Sequence, residues 1–187
     1  LKQSQISIHS IKGVLHISTH MQTHYNGCSE EFNNIPNTVI YNPIREDKVQ
    51  TNFELKSEIR TLGIIGSVNE FKGTDRFLEM IEKLGLLDIQ IVVAGKESTF
   101  GYIDYLKNKY AQLPVEFVGF MSQDHFFSKI DILVQPAEWD EPFGRTIIEA
   151  YKYGKPVISK KRGGLTETIK EGSTGFYYES SVEFQNS

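Results

Sequence analysis

One stretch of the chain concentrates side chains that can do chemistry. It reads Glu138-Trp139-Asp140-Glu141-Pro142-Phe143-Gly144-Arg145 and runs into apolar sequence that carries a further carboxylate, Glu149. A carboxylate accepts several hydrogen bonds at once, which suits the neighbouring hydroxyls of a sugar or a ribose. Arg145 stands where a helix is predicted to begin, and a cation there opposes the helix dipole unless an anion binds beside it. For Glu149, a surface ion pair with Lys152 is an equally good interpretation.

The elements that must position this stretch alternate regularly from residue 59 onward. Buried strands are predicted over 60–68, 89–95, 115–119, 132–135, 155–159 and 175–178. Helices are predicted over 73–84, 99–112, 123–129, 146–153 and 165–171, with Ser122 capping the third. Strands that alternate with helices across short loops form right-handed crossovers and a parallel sheet. The predicted fold class is therefore α/β with a doubly wound parallel sheet. Before residue 59, short strands are predicted over 14–18 and 38–44, on either side of a polar surface segment.

The loops that follow the strands indicate the kind of ligand, because ligands bind beyond the carboxyl ends of the strands in such a sheet. Each of these loops contains glycine, which lets backbone approach a ligand closely, and four of the five contain Lys or Arg. They are 66–73, 95–98, 119–121, 136–146 and 160–164. Basic side chains beside helix N-termini bind phosphate. The sequence therefore predicts a ligand that carries phosphate.

Several classes of phosphate site are excluded by the absence of their motifs. The chain has no G-x-x-x-x-G-K-[ST] and no G-x-G-x-x-G after the first strand of the regular region, which counts against P-loop nucleotidases and dinucleotide sites. It also has no Asp-x-Asp pair to hold a divalent ion between phosphates. Charge neutralisation then falls to Lys72, Arg145 and the amides that begin the helix at 144–153, and no metal cofactor is expected.

Composition narrows the partners and the compartment. The net charge of −4 gives no global basic field for nucleic acid or for an anionic membrane. The chain has a single cysteine, Cys28, and no apolar run long enough to span a membrane, so a reducing, cytoplasmic location with at most peripheral membrane association is expected. His20, His24 and Cys28 are close in sequence, but their spacing matches no usual zinc site, and an ordinary surface segment is the favoured interpretation.

The motifs also resemble a known family. Residues 141–150 are similar to the E-x7-E motif of retaining glycosyltransferases of the GT-B fold, glycosyltransferase family 4 or glycosyl transferases group 1. Further family-like segments stand in the same order. They are Tyr41-Asn42-Pro43-Ile44, Gly66 to Lys72-Gly73, Val118-Gly119-Phe120, Gly154-Lys155-Pro156-Val157-Ile158, Gly163-Gly164-x-x-Glu167 and Thr174-Gly175-Phe176. The resemblance covers roughly 39–180, and although E-x7-E alone would be weak, the set is specific.

The resemblance implies a nucleoside-diphosphate sugar, such as a UDP- or GDP-sugar, as donor, and a Rossmann-like domain that binds it. It assigns Glu141 as the catalytic residue at the donor sugar and Glu149 as the ligand of the ribose hydroxyls. It makes Lys72 the cation of the diphosphate. The remaining implied donor-binding residues are Gly66, Ser67, Gly119, Phe120, Met121, Phe143, Gly144, Arg145 and Thr146. Ser67 departs from the family, which has Arg there, and Lys96 and Arg162 are the candidates to replace that charge.

The same resemblance implies a domain organisation. Residues 1–44 are expected to be the tail of an N-terminal acceptor domain, 45–58 a linker, and 59–187 a C-terminal donor domain that is truncated at its end. The full-length protein is expected to move a hexose to a glycan or a lipid-linked acceptor in polysaccharide biosynthesis, whereas this chain alone should bind donor without efficient transfer.

The alternatives are an epimerase or phosphorylase of the same fold and a non-catalytic nucleotide-sugar module. A glycosidase that uses Glu138 and Glu141 is less favoured, because the phosphate-binding loops would then have no purpose. Whether Glu141 acts as nucleophile or stabiliser is open. Glu138, Trp139 and Asp140 are expected to set which sugar fits.

Overall fold

The computed structural model describes residues 10–28, 30–44 and 59–187, so the predicted linker at 45–58 lies outside the described residues. The strands are β1 (Val14–His16), β2 (Asn37–Val39), β3 (Thr61–Ile65), β4 (Gln90–Ala94), β5 (Val115–Gly119), β6 (Ile132–Gln135), β7 (Val157–Ser159) and β8 (Gly175–Tyr177). The α-helices are α1 (Thr19–Asn26), α2 (Glu30–Asn33), α3 (Thr74–Leu84), α4 (Tyr102–Lys109), α5 (Gln123–Lys129), α6 (Arg145–Lys152) and α7 (Ser181–Asn186).

Six of the strands form one parallel sheet in the order β5-β4-β3-β6-β7-β8. β3 pairs with β4 on one side and with β6 on the other, through Leu62 to Ile91 and Leu62 to Ile132. The chain first builds the sheet outward from β3 to β5, and then crosses back to extend it from β6 to β8. The switch point therefore lies between β3 and β6, where doubly wound sheets open a crevice for ligands. The predicted α/β class with a doubly wound parallel sheet is confirmed.

The sheet is covered by helices on both faces, because successive residues of each strand point to opposite sides. Leu62, Ile91 and Ile132 pack into one core layer with residues of α3 and α4. Val92 and Leu133 pack into a second layer with residues of α5 and α6. In α3 the buried Phe77, Leu78 and Ile81 lie at helical spacing, as the sequence pattern predicts.

Several predicted elements have other bounds in the structure. The strands predicted over 14–18 and 38–44 are Val14–His16 and Asn37–Val39, and the helix predicted over 99–112 is Tyr102–Lys109. The predicted helix over 165–171 is a short 3-10 helix, Gly163–Glu167, that ends at Thr168. The hydroxyls of Thr166 and Thr168 each donate to the carbonyl three residues earlier, which favours tight turns over a longer helix. The strand predicted over 60–68 ends at Ile65, and it is followed by Gly66, which has a φ of 142°.

The segment before residue 45 holds more structure than its polar sequence indicates. β1 and β2 pair in parallel as a separate two-stranded sheet. Helix α1 occupies part of the predicted surface segment, with the Ser18 hydroxyl accepting from the Met21 amide at its start. No residue of α1 is buried, so the sequence has no apolar stripe from which this helix could be predicted. Among the described residues, none of the helices is long and apolar enough to cross a membrane.

Candidate active site

A crevice of about 220 Å³ opens at the switch point between β3 and β6. Its walls bring together residues that are more than 60 positions apart in the sequence, and seven of them were predicted as site residues. These are Gly66, Ser67, Lys72, Glu141, Gly144, Arg145 and Thr146. The structure therefore places the loop after β3 and the loop after β6 on one ligand-sized space.

Two glycines let these loops approach each other. Gly73 has a φ of 76° and begins α3, and a Cβ there would lie 1.9 Å from the Pro136 carbonyl oxygen. Gly144 has a φ of 82° and begins α6, and its Cβ would lie 2.5 Å from the Leu165 side chain. A side chain at either position would meet both backbone strain and a clash. The close contact is further held by the Glu138 amide, which donates to the Phe71 carbonyl at 3.2 Å.

Glu141 is the most heavily engaged carboxylate of the crevice. It is 8% exposed, and the donors that reach it converge on one oxygen, Oε1. Lys72 Nζ lies 2.5 Å from Oε1 and Trp139 Nε1 lies 3.0 Å from it, while Gln135 Nε2 makes a longer contact of 3.5 Å. The Lys72 ammonium also lies 4.9 Å from the centroid of the Trp139 ring. A buried carboxylate is costly unless it is paired in this way.

Glu149 occupies a different environment on α6. It is 9% exposed and accepts a hydrogen bond from Arg145 Nε at 2.9 Å, one helical turn earlier. The Arg145 side chain is 72% exposed and lines the crevice, whereas Glu149 is not among the crevice-lining residues. The two carboxylates of the E-x7-E pattern are thus both paired with a cation, and Arg145 separates the second from the open space.

A larger hollow of about 500 Å³ adjoins the crevice at the ends of β4 and β5. It shares Ile65, Gly66 and Ser67 with the crevice, so the two spaces meet along one wall. Phe120 and Met121 line its far side, and Phe120 is 79% exposed. The chain reaches them through Gly119, which has a φ of 69° and turns the backbone at the end of β5.

The surroundings of Ser67 bear on the missing arginine. The Ser67 hydroxyl donates to Ser98 Oγ at 3.0 Å, and Asn69 Nδ2 donates to the same oxygen at 2.9 Å. Lys96 lines the hollow beside Ser67, with its ammonium 6.0 Å from the Phe120 ring centroid. Arg162 instead lines a separate cavity of about 400 Å³. Lys96, and not Arg162, is therefore placed to supply charge near Ser67.

Two other predicted residues lie away from the open space. Phe143 is 6% exposed and lies outside the lining of both the crevice and the hollow, stacked on the Tyr41 ring at a centroid distance of 5.6 Å. Glu138 lines the separate cavity with Arg162 and pairs with Arg76 at 3.5 Å. Because Glu138 and Glu141 open into different cavities, their arrangement does not favour a glycosidase pair.

The three possible zinc ligands weighed from the sequence, His20, His24 and Cys28, lie on or just after α1. Within residues 10–28, 30–44 and 59–187, no group of three or more His, Cys, Asp or Glu side chains is placed to hold a metal ion. The rings of His20 and His24 stack at 6.4 Å on α1, and the Cys28 thiol donates to the His24 carbonyl.

A set of contacts that sequence reasoning missed joins the first segment to the site. We call it the N-terminal contact: Ser18, Thr19, His20 and Tyr41 against Pro142, Phe143 and Glu167. The Ser18 hydroxyl donates to the Pro142 carbonyl at 2.5 Å, and the Thr19 and His20 amides donate to the Glu167 carboxylate at 2.8 and 2.6 Å. The Tyr41 hydroxyl also donates to Glu167, at 3.1 Å.

The charge on Glu167 responds to this contact. Burial alone raises the pKa of a carboxyl group, but the hydrogen bonds from His20, Thr19 and Tyr41 outweigh it and lower the pKa of Glu167 below its ordinary value. The sequence offers Ser18 as a favourable N-cap residue ahead of α1, and it carries Tyr41 and Glu167 in two family-like segments, but nothing in it says that these residues meet. The N-terminal contact therefore favours an ionised Glu167 one loop away from Glu141.

Comparison with solved structures identifies the fold. The chain resembles Anabaena Alr3699/HepE in complex with UDP and glucose, with a TM-score of 0.77 and 24% identity over 94% of this chain and 52% of that one. It also resembles a glycosyltransferase from Rickettsia africae, with a TM-score of 0.79 and 23% identity over 94% of this chain and 52% of that one. The fold is that of one half of a GT-B glycosyltransferase.

The family follows from the sequence match. The family model of glycosyl transferases group 1 matches residues 45–185, and the chain belongs to that family. Granule-bound starch synthase 1 of Pisum sativum is 35% identical over 125 residues, which are 65% of this chain and 21% of that protein. An uncharacterised 42.6 kDa protein from the cps region of Klebsiella pneumoniae is 35% identical over 112 residues, 58% of this chain and 28% of that protein. The chain thus spans less than a third of the length of these two relatives.

Proposed function

We propose that this chain is the donor-binding part of a retaining hexosyltransferase, which moves a hexose from a nucleoside-diphosphate sugar to a glycan or lipid-linked acceptor. The observation that carries the proposal is the shared wall of Gly66 and Ser67, which joins a charged crevice to an apolar hollow. A nucleotide sugar has the matching sequence of parts: an aromatic base, a diphosphate and a sugar. The complexes of HepE with UDP and with UDP-glucose support this class of ligand.

The placement of the donor follows from the chemistry of the two spaces. The base lies in the hollow against Phe120, where an exposed ring offers a stacking surface. The diphosphate lies along Gly66 and Ser67 and meets the free amides that begin α6, which favour an anion. The sugar lies in the crevice beside Glu141. The ribose hydroxyls reach Glu149 by displacing Arg145, which then turns its charge to the diphosphate.

The chemical step needs charge stabilisation more than proton transfer. Departure of the diphosphate leaves positive charge on the sugar and adds negative charge to the leaving group. The Glu141 carboxylate faces the positive charge on the sugar, and Lys72 with the α6 amides faces the negative charge on the leaving diphosphate. Because these groups are fixed before the reaction, little reorganisation is needed, and we propose that no metal takes part.

The acceptor belongs to a part of the protein beyond this chain in our proposal. Residues 1–44 are taken as the tail of an N-terminal acceptor domain and 59–187 as the donor domain, in a cytoplasmic protein with at most peripheral membrane association. The chain therefore binds donor and transfers sugar poorly on its own. Efficient transfer by this chain to any acceptor would overturn that division of labour.

Calorimetric titration tests the proposed ligand. The chain is titrated with UDP-, GDP- and ADP-glucose and with GDP-mannose, with and without EDTA. We expect one base to be preferred and EDTA to leave the affinity unchanged. The Lys170→Met variant, which changes an exposed lysine far from the crevice, is the matched control for substitutions of Lys72. If none of the four donors binds, the donor-binding proposal is wrong. Appearance of an epimerised donor without acceptor would favour an epimerase.

A further inference from the structure

Trp139 is 43% exposed and does not line the crevice, yet it donates to the Glu141 carboxylate, which does. Given the donor-binding function proposed above, we propose that Trp139 is a positioning residue. Its indole N–H, together with Lys72, holds Oε1 of Glu141, so that Oε2 is the oxygen presented to the transferred sugar.

The distribution of donors over the carboxylate carries this inference. Lys72, Trp139 and Gln135 all approach Oε1. Within the described ranges, no donor makes a hydrogen bond to Oε2. The two oxygens of a carboxylate are chemically equal, so donors gathered at one of them fix the orientation of the whole group and leave the other oxygen without a partner among the described residues. The unengaged oxygen then has a defined direction in the crevice.

The backbone around Glu141 is held in place, so only its side chain is left to rotate. The Glu141 carbonyl accepts from the Gly164 amide at 2.7 Å, and a Cβ on Gly163 would lie 2.6 Å from the Glu141 carbonyl oxygen. The Glu138 amide is held by Phe71 on the other side. Because the backbone is held on both sides of Glu141, Trp139 and Lys72 need to restrict only the rotation of its carboxylate.

An indole suits this role for two reasons. Its N–H is a donor and never an acceptor, so its hydrogen bond to Oε1 can run in only one direction. Its ring face attracts the Lys72 ammonium, 4.9 Å from the centroid, which holds the two nearer donors of Oε1 against each other. Phenylalanine keeps an aromatic ring and loses the donor together with one of the two fused rings. Trp139→Phe therefore removes the hydrogen bond while an aromatic ring stays at the position.

The chain offers a direct spectroscopic readout, because Trp139 is its only tryptophan. A proton–nitrogen correlation spectrum of the 15N-labelled chain contains one indole cross-peak, which needs no assignment. We expect Glu141→Gln to move this cross-peak, because a neutral amide oxygen is a weaker acceptor. The remote variant Asp88→Asn should leave it in place. An indole cross-peak that is the same in wild type and Glu141→Gln would overturn the positioning role.

The ligand response sharpens the test. We expect UDP-glucose to move the cross-peak further than UDP does, since only the sugar reaches Oε2. In the full-length enzyme, Trp139→Phe should lower kcat about tenfold with KM little changed, because a single hydrogen bond to the reacting carboxylate is lost. An unchanged kcat would contradict the proposal. If no nucleotide sugar binds the wild type, the proposed function fails, while the Glu141→Gln result still reports on the contact itself.

Discussion

The crevice and the hollow share a wall but are built on opposite physical principles. The crevice, about 220 Å³, holds buried charge in fixed pairs, with Glu141 only 8% exposed. The hollow, about 500 Å³, relies on shape and apolar surface, and its chief aromatic, Phe120, is 79% exposed. Fixed charges are needed where charge develops during a reaction, because there a small displacement is costly. A surface that only holds a ring tolerates more variation in the position of its ligand. Substitutions in the crevice and in the hollow, made one at a time, test this difference.

The largest effect is expected from the centre of the crevice. Glu141→Ala in the full-length enzyme should lower turnover by about 10²- to 10³-fold, the range seen when one preorganised electrostatic group is removed. Nucleotide affinity should persist, since the hollow and the shared wall are intact. Steady-state kinetics with calorimetry of UDP binding separates the two. Full retained turnover would favour the non-catalytic binding module.

The next largest effect is expected from the cation. Lys72→Met should weaken binding of the preferred nucleotide sugar by roughly 10- to 100-fold, because a charge-assisted contact is lost and Glu141 is left unpaired. This loss should shrink as salt is raised, since screening weakens the interaction in the wild type as well. Calorimetry at low and high salt measures the donor affinity of Lys72→Met, with Lys170→Met as the control. A loss of affinity that is independent of salt would contradict a contact between Lys72 and the diphosphate.

A smaller effect is expected in the hollow. Phe120→Ala should weaken binding of the same donor by about threefold to tenfold, the contribution of one aromatic stacking contact. Unlike the Lys72 effect, it should not depend on salt. The free sugar phosphate, which has no base, should be unaffected. Equal salt dependence in both variants would erase the distinction between the two regions.

The smallest effect is expected at the N-terminal contact. Glu167→Gln should lower the free energy of unfolding by about 1–2 kcal/mol at pH 7, because a neutral acceptor replaces a charged one. The folded-state pKa is lowered from the ordinary value of 4.5, so this stabilisation is full above that pH and is lost as the pH falls through the folded-state pKa. Urea unfolding of both proteins between pH 3 and 7 checks it. A gap that widens toward acid pH would contradict the assigned charge.

The sequence predicted the parallel sheet well because buried strands and amphipathic helices leave regular apolar patterns. It also predicted which loops meet, since the carboxyl ends of parallel strands share one edge. Helix α1 was not predicted, because it buries no residue. The helix predicted at 165–171 is shorter in the structure because threonine hydroxyls donate to backbone carbonyls that a longer helix would use. The place of α1 depends on contacts with distant segments and the shortened helix on local side-chain hydrogen bonds, and apolar periodicity reports neither.

Within the site, the motif indicated Glu141, Lys72 and Arg145 but not how they are paired. The convergence of donors on one oxygen of Glu141 depends on Trp139 turning back onto its own loop, and a short motif contains no information on that direction. Likewise, the sequence offered both Lys96 and Arg162 near the place of Ser67, and only the fold separates them into different cavities.

The N-terminal contact has a consequence for sequence variation. Ser18 and Glu167 are fastened to partners more than 120 positions away, beside the loop that carries Glu141. Exchanges at Tyr41 and Glu167 are therefore not independent, since loss of either side chain leaves the other without this hydrogen bond. Across relatives, these two positions should covary with one another more strongly than with their neighbours in the chain. A recombinant protein that joins the first segment of one relative to residues 59–187 of another should fold best when this pair is kept from a single parent.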